Sequence, residues 1–206
     1  MNKIKTTLAT LIAALSLTSC NDWLDVSPKS QIKEEDHFSR EGGYKDQLTG
    51  VYTAMSQQSM YGLNMGIGFV EVLSHSYDVD ANGKWRYANE FDYKNSSVES
   101  IIASIWKQTY NCIANLNILI KNIDQANPNS FSENNYDIYR GEAYGLRGFL
   151  HLDLMRLFAC APSIDPNAKG VPYVTEYSTE VVGQKTVKET MQMVIDDLTK
   201  AREYLS

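Results

Sequence analysis

Cations are in the minority here: 19 lysines and arginines stand against 25 aspartates and glutamates among 206 residues, a formal charge of −6. Phosphate backbones are bound through clustered Lys and Arg, so this balance excludes a general nucleic-acid binder. Histidine and cysteine are scarce, at three each. His37, His75 and His151 are scattered, no C-x-x-C or H-x-x-x-H spacing occurs, and no metal site is expected. G-x-S-x-G, H-E-x-x-H and P-loop patterns are missing, and no Cys has a plausible His partner. Glycoside hydrolysis needs two carboxyl groups flanking one bond, and Asp78 and Asp80, on a single loop, cannot be placed that way from sequence. The expectation is a protein that is not an enzyme and carries no cofactor. Past the first twenty residues no apolar run is long enough to cross a bilayer. With 43% apolar and 21% charged residues, the chain is also neither low-complexity nor disordered in composition.

What is present starts at the N-terminus. Lys3 and Lys5 precede an apolar run at residues 6–17, and small residues follow at Thr18 and Ser19. That order reads as a secretion signal over residues 1–19. Leu17-Thr18-Ser19-Cys20 resembles a bacterial lipobox, in which the terminal thiol takes a diacylglycerol and the signal is cut just before it. Several acyl chains give lasting attachment where one does not, so Cys20 is expected to hold the mature protein to a membrane. Residues 20–36 read as a lipidated tether that starts to dock through Trp23, Leu24 and Val26. Cys112 and Cys160 remain, as two packed thiols or as a bridge.

The body, residues 37–206, is patterned for helices. Tyr44, Leu48, Val51, Tyr52 and Met55 recur on a 3.6-residue period, with Ser39 as a plausible N-cap. Residues 61–73 suggest a shorter helix. Ser96 and Glu99 form a capping box ahead of a long helix bearing Ile105, Trp106, Tyr110, Ile113, Asn117 and Ile120, which read as core. From about Asn134 to Ala159 apolar groups occupy more than one face, as expected of a central helix, and Asp153 and Arg156 stand one turn apart as a potential pair. Arg147 on this helix is expected to satisfy a partner helix. Thr186 and Glu189 make a second capping box ahead of Val187, Met191, Val194, Leu198, Ala201 and Leu205. Residues 171–174 and 180–182 could at most form a short ribbon. The fold class is all-α, a bundle of helix pairs of tetratricopeptide-like length with one long aromatic-rich loop at residues 74–97.

These parts resemble a known family. Cys20 followed by Trp23-Leu24-Asp25-Val26-Ser27-Pro28, then Trp106-x3-Tyr110-x2-Ile113-x3-Asn117, Glu142-Ala143, Leu146-Arg147-Gly148-Phe149, Asp153-Leu154, Gly170-Val171-Pro172-Tyr173 and Asp197-Leu198-x2-Ala201 resemble the N-terminal part of SusD/RagB-type lipoproteins, surface nutrient-binding proteins of Bacteroidetes. Phe158-Ala159-Cys160-Ala161-Pro162 departs from the family in lacking its usual Gly before the Pro. Members generally run to about twice this length, so the resemblance implies an N-terminal domain that is completed by a C-terminal region packing on the apolar stripe of the last helix.

The resemblance implies an outer-membrane lipoprotein facing the cell exterior. It would hold an oligosaccharide, a polysaccharide or a peptide and deliver it to a SusC-like TonB-dependent transporter. Sugars present flat CH faces ringed by hydroxyls, so a binder needs aromatic platforms with polar groups at their edges. The loop supplies Trp85, Tyr87 and Tyr93 as platforms and Asp78, Asp80, Asn82 and Arg86 as edge groups. The same aromatics could instead tie the loop to the helical body. A surface scaffold that contacts only protein is the alternative reading.

Overall fold

Seven α-helices and one 3-10 turn make up the regular structure of residues 33–206, the part of the chain that the computed structural model describes. Cys20, the signal segment and the docking of Trp23, Leu24 and Val26 lie outside those residues. Helix α1 (Glu34–His37) is a single turn. The residues from Phe38 onward form one unit.

Helix α2 (Glu41–Met55) buries Tyr44, Leu48, Val51 and Met55, as its period predicts. Tyr52 departs from the pattern, at 44% exposure, with its hydroxyl donating to Glu142 at 2.6 Å. Ser39 is not the cap. The helix begins after an extended Arg40 that makes no side-chain cap bond. Its first turn is instead tied to a distant segment, because the Glu41 carboxylate accepts from the Ser132 amide at 2.9 Å and Asn135 Nδ2 at 2.6 Å.

Residues 61–73 hold less helix than their sequence suggests, with only α3 (Phe69–Leu73) forming one. The turns ahead of it are close-packed: a Cβ on Gly62 would run into the Ser56 carbonyl oxygen. A single turn, α4 (Arg86–Asn89), interrupts the long loop.

Helix α5 (Ser96–Ile123) starts one residue away from the expected box. Asn95 is the cap, and its Oδ1 accepts from the Ser97 amide at 3.0 Å. Asn competes well for this role because its carboxamide oxygen reaches the second helical amide. Helix α6 (Asn135–Phe158) is central and packs on α2, α5 and α7. Helix α7 (Val187–Leu205) carries the predicted capping box: the Glu189 amide donates to Thr186 Oγ1 at 3.2 Å, and the Thr186 amide donates to Glu189 Oε2 at 2.9 Å. Gly145 and Gly148 let α7 lie close to α6, with Cβ positions 3.4 Å from Ala201 and 3.2 Å from Leu198.

The main core gathers Leu48, Ile113, Leu116, Leu150 and Leu154. A smaller core of Phe69, Val72, Ala88, Val98 and Ile105 lies beneath the aromatic loop. Among the described residues no strand forms. An isolated bridge between Lys169 and Thr186 replaces the expected ribbon, and Val181 is 98% exposed, so that stretch has nothing to pack on. Cys112 and Cys160 are separate free thiols, the first buried and the second half-buried at the end of α6. Asn117 is core, whereas Trp106 and Tyr110 are half-buried against it.

Candidate functional site

The loop between α3 and α5 is built from two helix ends and an Asx turn. Asp80 accepts from the Asn82 amide at 2.8 Å through its carboxylate and from the Gly83 amide at 2.8 Å through its carbonyl, which folds residues 80–83 into a turn. That turn delivers Trp85 to the small core, against which it is half-buried. Lys84 Nζ stands 4.7 Å from the centre of the Trp85 ring. Arg86 covers part of Tyr87, its guanidinium 5.2 Å from the ring centre, while Nε is held by Glu90 at 3.1 Å.

The structure therefore separates the predicted residues by setting. Asp78, Asp80, Asn82, Arg86, Tyr87 and Tyr93 are exposed, and Trp85 is the member that anchors the loop. Arg86 is brought against Tyr87, and Asp80 against Asn82. Tyr77, whose hydroxyl donates to the Ile67 carbonyl at 3.0 Å, and Phe91 are the further exposed aromatics of this surface. They show in the sequence as aromatics in a long loop, but nothing local separates an outward ring from an inward one.

A second concave region lies between α5, α6, α7 and the strap at residues 171–177. It is a cleft of about 590 Å³ bordered by Asp124, Tyr144, Arg147, Tyr177 and Lys200. Its floor is a closed polar network. Arg147 donates through Nε to Asp197 Oδ2 at 2.7 Å, through Nη2 to Asp197 Oδ1 at 2.8 Å, and through Nη1 to Asn117 Oδ1 at 2.9 Å. Asn117 passes the connection on to the Val174 carbonyl at 3.0 Å, and the Tyr173 hydroxyl donates to Asp197 at 2.6 Å. Asp124 is also occupied, accepting from Arg140 at 2.7 Å and from Tyr144 at 2.8 Å. Burial, then the bond to Asp124, pushes the Tyr144 hydroxyl up to about 12, so it stays protonated and donates. These pairings hold helices together beneath a rim where Tyr177 and Lys200 are exposed, while the loop keeps several rings and polar edges in water.

Comparison with known proteins agrees with the helical order. Residues 22–206 match the SusD-like family model described as "Starch-binding associating with outer membrane". The chain belongs to the SusD-like family. Among curated relatives of this SusD-like chain, the SusD-like protein P2 of Formosa agariphila is 25% identical over 209 residues, which cover all of this chain and 38% of that protein. The SusD-like protein P25 of the same organism is 24% identical, over 99% of this chain and 38% of its own. The SusD-like chain thus spans 38% of the length of the curated relatives it matches. In fold it is similar to a putative sugar binding protein from Bacteroides vulgatus, with a TM-score of 0.68 and 24% identity over 81% of this chain and 37% of that one. A SusD superfamily protein from Bacteroides thetaiotaomicron gives a TM-score of 0.64 and 23% identity over 80% of this chain and 37% of its own.

Proposed function

We propose that this SusD-like protein is a non-catalytic surface lipoprotein, anchored through Cys20, that holds a glycan for hand-over to a SusC-like TonB-dependent transporter in the outer membrane. The observation that carries the reading is the loop over the small core, which keeps Tyr87 and Tyr93 at 37% and 50% exposure beside Arg86, Asp78, Asp80 and Asn82. Exposed rings with polar groups at their edges suit a sugar, whose CH faces are apolar and whose rim is hydroxylated. Trp85 borders this surface and also fastens it. Residues 1–19 act in this reading as the signal, 20–36 as the tether and 37–206 as the helical domain. Further polypeptide would pack along α7, where Ile195, Leu198 and Leu205 are exposed.

Affinity electrophoresis of the chain through gels containing soluble polysaccharides tests the binding. Retardation by at least one glycan, weakened in Arg86→Ala and Tyr87→Ala, is expected. Retardation by no glycan would select the alternative, a scaffold that contacts protein alone. Labelling with palmitate tests the anchor: incorporation is expected in the wild type and not in Cys20→Ala.

A further inference from the structure

Two residues of the loop adopt a backbone conformation that ordinarily belongs to glycine. His75 and Phe91 both have φ of 54°. Each stands just past the cap of a helix. After α3, the His75 amide donates to the Val72 carbonyl at 3.0 Å and the Ser76 amide to Glu71 at 3.1 Å. After α4, the Phe91 amide donates to Ala88 at 3.0 Å and the Asp92 amide to Tyr87 at 2.8 Å. Both are Schellman ends, in which the residue after the cap is left-handed and glycine avoids a Cβ clash. Here two successive helix ends carry a ring at that position. The two rings meet, with centroids 5.1 Å apart and planes inclined at 30°, and His75 Nε2 lies 3.1 Å from the Asn89 carbonyl oxygen.

Core burial does not account for this choice. Phe91 remains 46% exposed, and His75 is exposed as well. A bulky side chain that keeps a left-handed backbone and still stands in water is held in place by its surroundings, and such states cluster at ligand clamps and other working sites. The neighbours fit that use. Tyr93 lies 6.4 Å from Phe91, inclined at 49°, and is itself 50% exposed. Trp85 is half-buried and accompanied by Lys84, so it offers less open ring than Phe91 does.

We propose that Phe91, braced by His75, is the platform on which this loop stacks the apolar face of a pyranose ring, with the Tyr93 hydroxyl serving the sugar's polar edge. The assignment rests on the glycan-binding reading above and names the residue that performs it. Rigid placement by the helix ends removes the ordering cost that a free side chain would bring to binding.

Phe91→Gly separates binding from folding, because glycine suits the left-handed backbone. In gels containing amylopectin, laminarin or xyloglucan, the whole chain is expected to be retarded by at least one polysaccharide. Phe91→Gly should lose that retardation with an unchanged or raised melting temperature, and Phe91→Tyr should keep it. Wild type and Phe91→Gly retarded equally would overturn the platform and leave the glycan-binding reading standing. A wild type that no polysaccharide retards would overturn both.

Discussion

Arg147 on α6 and Asp197 on α7 face each other through two hydrogen bonds of 2.7 and 2.8 Å, with side chains only 6% and 5% exposed. A two-point pair of this kind fixes the relative position of the helices, and Asn117 and Tyr173 extend it to α5 and the strap. Removing one partner leaves the other charged and buried. Arg147→Met or Asp197→Leu should therefore destabilise by about 3–5 kcal/mol. Arg147→Met combined with Asp197→Leu should be milder than either alone. Urea denaturation of the three variants checks this, and additive losses would show that the two side chains are not coupled.

His151 predicts a slope of stability with pH. Its Nε2 accepts from the Val174 amide at 3.0 Å, so Nδ1 carries the proton donated to the Arg147 carbonyl at 2.9 Å. Burial, first of all, lowers its pKa from the ordinary 6.5 to about 4, with the Arg147 charge adding in the same direction. Between these values the unfolded chain binds a proton that the folded one refuses. The stabilisation is complete above the unfolded pKa and is lost as pH falls toward the folded one. Through His151 alone, stability should drop by ~2 kcal/mol from about pH 7 to about pH 5. His151→Gln should flatten that part of the profile, and an identical slope in the variant would remove His151 as its source.

Gly170 is closed off by the interior. A Cβ there would lie 2.6 Å from Thr190 Oγ1 and 3.2 Å from Met155 Sδ, and Thr190 is fully buried on α7. Gly170→Ala should destabilise by about 1–3 kcal/mol through overpacking. Gly183, with no atom within 4 Å of its Cβ position, should accept alanine without loss. Thermal melts of the two variants side by side make the comparison.

The two body thiols should react at different rates. Burial pushes Cys112 up to about 11, and its Sγ lies 3.7 Å from the sulfur of Met60. Cys160 is half-buried beside a cavity of about 300 Å³ that includes Pro162 and Met191. In a Cys20→Ala chain, a thiol-specific chromogenic reagent should titrate Cys160 in the native protein and Cys112 only after unfolding. Equal rates would contradict the packing around Met60.

Where a helix was legible, its signals were close together in the chain. Thr186 and Glu189 announce α7 because a capping box spans one turn, and Leu48 and Val51 mark the inner face of α2 by their spacing alone. Ser39 and the Ser96–Glu99 pair were the wrong caps for a related reason. Equally suitable groups lay nearby or arrived from elsewhere: Asn95 for α5, and Ser132 with Asn135 at the first turn of α2. In the candidate site, the loop and its aromatic content could be read directly. The orientation of each ring could not, because Trp85 turns inward to the small core, to which a separate helix contributes Val98 and Ile105.

The amino-acid order alone determined the all-α class, the long aromatic loop and the capping box of α7, since these follow from helical periodicity and from interactions within a turn or two. The tertiary structure decided which helices share a buried charge, as Arg147 and Asp197 meet across 50 residues of chain. It also decided that His75 and Phe91, in backbone states suited to glycine, stand together in water. Pairing and exposure of this kind depend on which surfaces the packed helices leave open.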